Sequence, residues 1–144
     1  MTPKHLDVFL NSNIGDNKNF KWKEALYLAS MDVYVMPDED IARNIIETAN
    51  RMQSIRDILG KPIKVTSWYR PANYNKHIGG AKNSYHIQGL ACDFCVSGML
   101  PDAVREILLD FLDNLDIRME DMPGASWVHV DLGVPNAGRR FFLP

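Results

Sequence analysis

The segment DEDIARNIIETANRMQSIRDILG, residues 38–60, does most to restrict what this chain can fold into. Ile41, Ile45, Ala49, Met52, Ile55 and Leu59 recur at three- and four-residue steps, which a helix gathers into one apolar stripe. Asp38 or Asp40 can cap its start, and Gly60 with Pro62 ends it. The stripe is read as core rather than as a binding surface. Directly after it, PIKVTSWYR alternates as a strand does, with Ile63 and Val65 on one face.

The remaining elements are shorter. FKWKEALYLAS suggests a short helix, preceded by a polar, Asn-rich stretch over residues 1–20 whose order is expected to be loose. RPANYNKHIGGAKNS is rich in turn formers; Pro71 can open one helical turn and Gly79-Gly80 breaks it. Residues 90–96 read as a strand. Pro101 opens a second amphipathic helix that turns Val104, Ile107, Leu108, Phe111, Leu112 and Leu115 inward. DIRME is a strand, DMPGA a turn, SWVHVDLG a last strand, and the two phenylalanines of the tail are expected to pack back. Helices with short strands between them predict a single α+β domain over residues 1–144, its small, mainly antiparallel sheet flanked by helices.

Composition narrows the function. The 144 residues carry a formal net charge of -2, with 16 Lys and Arg scattered among 18 Asp and Glu. That balance argues against a nucleic-acid groove. No segment approaches the roughly 18 apolar residues of a membrane span. The N-terminus lacks the pattern of a secretory signal, its apolar run being broken by His5 and Asp7. Synthesis in a cytoplasm is therefore expected, with release by a partner if the protein acts outside. A monomer is expected.

Chemistry concentrates in two places. In the last strand Trp127, His129 and Asp131 face one way, and Val128, Val130 and Leu132 the other. The valine face is core, which frees the first face. His129 and Asp131 are same-face neighbours about 7 Å apart. In NSYHIQGLACDF, His86 and Asp93 flank Gly89, which lets the chain fold back so that both can reach one point. Two imidazoles and one carboxylate suit Zn²⁺ with an open fourth position, whereas Mg²⁺ and Ca²⁺ prefer all-oxygen sites. On spacing alone, histidines that merely satisfy their own hydrogen bonds are the commoner reading. The CxxC of Cys92 and Cys95 offers a competing thiol chemistry. A strand sends the two sulfurs to opposite faces, so buried, reduced cysteines are expected.

SYHIQGLACD fits the pattern S-x-H-x-x-G-x-A-x-D and resembles the zinc peptidases of the D-alanyl-D-alanine carboxypeptidase and L-alanyl-D-glutamate peptidase type, whose fold recurs in the Hedgehog signalling domain. The lead-in SWYRPANYNKHIGGAKNS and the downstream SWVHVD extend the similarity over roughly residues 20–134, nearest the phage and murein-endopeptidase branch. The resemblance implies that His86, Asp93 and His129 hold Zn²⁺. It implies that Ser84 lies beside the metal or the substrate, and that Arg70 steadies a substrate carbonyl or carboxylate. His77 has no counterpart in the pattern. Tyr85, with Trp68, Tyr69 and Trp127, could wall a groove. Many relatives carry an acidic residue three positions before the last histidine, or a second histidine two before it. Here those positions hold Ser126 and Trp127. Asp131 is then the first candidate for the general base, with orientation of His129 as its equal alternative, and Glu120 and Asp121 come next.

The implied activity is zinc-dependent hydrolysis of a peptide bond in the stem or cross-link peptides of peptidoglycan, as in a phage lysis enzyme. The alternative is a zinc-stabilised binding or structural module of the same fold that does not cleave. A carboxylate near the metal favours the enzyme; a fourth protein ligand in its place favours the module. Thiol redox chemistry is disfavoured by the strand geometry.

Overall fold

Polar and Asn-rich as it is, the N-terminal segment is built into the core, contrary to the expectation of loose order. In the computed structural model, which describes residues 2–144, Thr2 caps helix α1 (Pro3–Leu10) by accepting a hydrogen bond from the His5 amide. Leu10, Ile14 and Phe20 are buried in the main core. Asn17 donates to both the Ile14 carbonyl and Asn50 Oδ1, which ties the loop to the long helix. The apolar residues that do this follow no helix or strand period, which is why their pattern reads as a loop.

Helix α2 (Trp22–Leu26) follows, then a two-stranded hairpin of β1 (Tyr27–Leu28) and β2 (Val33–Tyr34). Helix α3 (Glu39–Leu59) matches its sequence signals: Asp38 caps it by accepting from the Ile41 amide, and Gly60 closes it. Ile45, Ala49, Met52 and Ile55 are buried. Strand β3 (Ile63–Ser67) leads to helix α4 (Ala72–His77) and then to a 3₁₀ turn over Tyr85–Gln88. Strand β4 (Ala91–Val96) comes next, then helix α5 (Pro101–Leu108), which continues irregularly to Leu115. Val104, Leu108 and Leu112 point inward as expected, but Ile107 is 40% exposed.

Strands β5 (Arg118–Glu120), β6 (Val128–Asp131) and β7 (Phe141–Phe142) complete one sheet in the order β3-β4-β6-β5-β7. Every pairing is antiparallel except that of β5 with β7. The tail does pack back: it adds the edge strand, fastened by the Met119 amide to Arg140 O and the Asp121 amide to Phe142 O. One sheet face, with Cys92, Phe94, Met119, Val128 and Val130, joins the core. The register sets the other face. Asp93 lies directly opposite His129, and Asp131 directly opposite both Ala91 and Arg118. Opposed residues share a face with Cβ atoms only about 4.5–5.5 Å apart, so this pairing gathers the polar groups before any loop contributes.

Candidate functional site

His86 is the one member of the constellation that does not come from a strand. Ser84 caps its 3₁₀ turn, accepting from the His86 amide, and Gly89 ends the turn in the left-handed region at φ 74°. A Cβ on Gly89 would stand 3.0 Å from Ile45 Cγ1 and 3.4 Å from the Ile41 carbonyl oxygen. Glycine is thus required both by the backbone and by the close approach to α3. Thr48 and Trp68 both donate to the Gly89 carbonyl, and Asn44 to that of Gln88, so the long helix anchors the loop that carries His86.

The three side chains converge. One ligand atom from each of His86, Asp93 and His129 lies within 4.8 Å of the others. His86 Nε2 is 3.2 Å from Asp93 Oδ1, and His129 Nδ1 is 2.8 Å from the same oxygen. Tetrahedral ligands with bonds of about 2.0–2.1 Å stand about 3.3 Å apart, so the donor set fits zinc with small adjustments. Each member is also held from behind. His86 Nδ1 donates to the Trp68 carbonyl at 2.6 Å, which leaves the Nε2 lone pair for the cluster. Asp93 Oδ2 accepts from Arg70 at 3.1 Å. His129 Nε2 meets Asp131 Oδ2 at 2.9 Å. Such backing partners orient metal ligands and fix histidine tautomers. Among the described residues no fourth His, Cys, Asp or Glu joins the cluster.

Of the two roles the sequence left open for Asp131, base or orientation of His129, its surroundings favour the second. It is 1% exposed, and Arg118 grips it through Nε at 2.7 Å and Nη2 at 2.9 Å. The Gly133 amide adds a third donor. Burial works against its charge, but the bonds from His129 and Arg118 outweigh that and hold its carboxyl below the ordinary carboxylate range. A carboxylate so committed orients His129 and is a poor proton acceptor near neutral pH. Asp121 is displaced too. It lines a separate cleft with Asp102, Arg105 and Phe141. Of the three base candidates, Glu120 alone lines the cleft with a side chain that makes no hydrogen bond or ion pair among the described residues. The β5–β6 register, carried one step beyond Met119 and Val130, brings it beside His129, and it lines the same cleft.

That cleft, about 520 Å³, also takes in Arg70, Ser84, Tyr85, Trp127 and Phe142. Arg70 spends Nε on Ser67 and one Nη2 proton on Asp93, and makes a longer bond to Asn75, so part of its guanidinium still faces the cleft. Trp127 is 40% exposed at the rim. Trp68 belongs to the core instead, and His77 is exposed at the end of α4, away from the cleft. Cys92 is buried and Cys95 half-buried; both are free, on opposite faces of β4, and Cys95 Sγ donates to Ser126 O. The expectation of two buried thiols fails at Cys95.

Arg118 escaped the sequence reading. It lies between the rings of Tyr85 and Phe142, 5.2 and 4.1 Å from their centroids. Gly133 makes room for it: a Cβ there would stand 2.8 Å from Arg118 Nε and 2.5 Å from the Tyr85 ring. Nothing local marks this arginine, because its role depends on β5 lying beside β6. With Arg118 fixing Asp131, Asp131→Asn is expected to keep the fold and lower metal affinity by about 10–100-fold, while turnover at saturating metal is retained. Competition with a chromophoric chelator measures the first and an assay in excess metal the second. Unchanged affinity would remove the orienting role.

In the metal-free protein His129 donates from both ring nitrogens, to Asp93 and to Asp131. Burial opposes its charge, but the two carboxylates outweigh that and push its pKa up to about 9. A metal needs the Nδ1 lone pair, so uptake must expel that proton. About one proton per metal ion is expected to be released below pH 8, falling as the pH passes 9. Titration calorimetry in buffers of different ionisation enthalpy gives this number directly.

A family model described as Peptidase M15 matches residues 19–131. The peptidoglycan L,D-endopeptidase MepK of Escherichia coli K12 is 29% identical over 91 residues, which cover 58% of this chain and 48% of that protein. The MepK proteins of Escherichia coli O157:H7 and Shigella flexneri align to the same extent. The chain thus spans about half the length of the curated relatives it matches.

Proposed function

The chain belongs to the peptidase M15 family, and from that premise we propose that it is a zinc-dependent peptidase that hydrolyses a peptide bond in the peptides of peptidoglycan, in the setting of cell-wall lysis. The observation that carries the reading is the convergence of His86 Nε2, Asp93 Oδ1 and His129 Nδ1 at the floor of an open cleft, with each side chain anchored from behind. Three protein ligands and an open fourth position are the arrangement of catalytic zinc, whereas structural zinc is closed by four.

Zinc, when bound, supplies Lewis-acid activation of the scissile carbonyl and of the attacking water. The chain's residues do the rest. Glu120, the uncommitted carboxylate of the cleft, takes the proton of the attacking water and returns it to the departing amine. The free part of the Arg70 guanidinium faces the cleft and can bind the substrate carbonyl as negative charge develops on it. Asp131 and Arg118 keep His129 in the tautomer that offers Nδ1. Tyr85 and Trp127 bound the groove in which the peptide lies.

The test is direct. Purified, zinc-loaded protein is incubated with peptidoglycan fragments, and new termini are identified by mass spectrometry, with and without a chelator. Chelator-sensitive cleavage at one kind of peptide bond is expected. A zinc-loaded protein that binds the fragments and cuts none of them would establish the non-catalytic module instead.

A further inference from the structure

A second cavity, of about 390 Å³, adjoins the cleft and shares Arg118 and Phe142 with it. Asn136, Arg139, Phe141 and Leu143 complete its lining. The two cavities differ in charge. Asp93, Glu120 and Asp131 line the first together with Arg70 and Arg118, whereas two arginines and no acidic residue line the second.

Both arginines have donors to spare. Arg118 uses Nε and Nη2 on Asp131, but Nη1 donates to nothing among the described residues. No buried side-chain nitrogen or oxygen among the described residues lacks a partner, so this free Nη1 is open to solvent. Arg139 is exposed, and its side chain makes no hydrogen bond or ion pair among the described residues. Its position is nevertheless set. Residues 136–139 form a tight turn in which Ala137 and Gly138 are both left-handed, at φ 51° and 75°. The Arg139 amide closes the turn on Asn136 O at 2.9 Å, and the two residues pair as an isolated bridge. Paired residues at the base of such a turn carry neighbouring side chains.

We propose that this cavity is a subsite for a carboxylate carried by the same peptide whose scissile bond occupies the cleft. The inference rests on the peptidase reading and adds a feature of the substrate to it. Two guanidinium groups and an amide suit the planar, two-oxygen geometry of a carboxylate. Phe141, Phe142 and Leu143 give an apolar wall to the chain that bears it. Because Phe142 and Arg118 belong to both cavities, the carboxylate lies within one or two residues of the reacting carbonyl, at up to about 3.6 Å of chain per residue.

The experiment compares two peptidoglycan peptides that differ only in one group, a free carboxylate or its carboxamide, at the residue next to the cut. Wild type is expected to favour the carboxylate by about 10- to 100-fold in kcat/KM, the worth of a charge-assisted pairing. Arg139→Gln, an exposed change, is expected to abolish the preference while leaving the carboxamide peptide within about twofold of wild type. Equal losses on both peptides, or a preference that survives, overturn the proposal. Calorimetric binding of both peptides to zinc-loaded Glu120→Gln separates the two readings. If nothing is cleaved by wild type but Arg139-dependent preference persists in binding, the peptidase reading falls and the subsite stands. If neither cleavage nor binding discriminates the peptides, the subsite falls.

Discussion

Asp93→Ala is expected to reduce the metal content of the purified protein from about one zinc ion per chain to nearly none, because two imidazoles cannot replace a three-ligand set. Asp93 is the keystone of the cluster. Its Oδ1 faces both histidines, and its Oδ2 holds Arg70. Burial disfavours its charge, yet the bonds from His129 and His86 outweigh that and keep its carboxyl well below the usual carboxylate range. It is thus ionised at any pH where the protein would work. His86→Ala should lose the metal equally. Asp93→Ala also leaves the Arg70 guanidinium short of its anion, so Asp93→Asn, which keeps the shape, serves as the companion variant. Elemental analysis with circular dichroism decides: full zinc in folded Asp93→Ala and His86→Ala would refute the ligand assignment.

Glu120→Gln is expected to keep both fold and zinc and to lower turnover by about 10²–10⁴-fold, the worth of a positioned base. The reasoning is by commitment of the alternatives. Asp131 already accepts from Arg118, His129 and the Gly133 amide, and Asp121 lines another cleft. Glu120 shares the cleft with His86, Asp93 and His129 and makes no ion pair among the described residues. Asp121→Asn is the matched control and should turn over as wild type does. If Glu120→Gln were fully active on a substrate that wild type cleaves, the base would have to be sought outside the strand face, and the mechanism given for this chain would fail.

The proposed base lies off the last strand. Ser126 and Trp127, at the positions where the resemblance led to an acidic residue or a second histidine being expected, precede β6. Here a glutamate of the neighbouring strand faces the same cleft. Glu120 stands on another strand, brought beside His129 by the β5–β6 register, so spacing within the last strand could not point to it.

Much of the architecture was legible because it is local. The stripe from Ile41 to Leu59, with Asp38 before it and Gly60 after it, specifies α3 through backbone periodicity and capping alone. The alternation of Val128, His129, Val130 and Asp131 likewise assigns faces without knowledge of any neighbour. The resemblance carried by SYHIQGLACD and SWVHVD named His86, Asp93 and His129, and the fold brings those three together. Where local pattern failed, long-range packing had taken over. Leu10, Ile14 and Phe20 lack any period, yet all three are buried in the main core, Phe20 edge-on to Trp68. Ile107 fits the apolar spacing of α5 yet faces water.

The sequence by itself therefore determined the long helix, the faces of the strands and, through a contiguous motif, which three side chains were candidates to meet, since each depends on residues close along the chain. Only the tertiary structure decided how those groups are used. That β5 lies between β6 and β7 is a fact of sheet order, and no residue in either strand announces it. From that order follow the Arg118 grip on Asp131, the arrival of Glu120 at the cleft and the closure of its wall by Phe142. A strand's period says which way a side chain points; the strand beside it decides what the side chain meets.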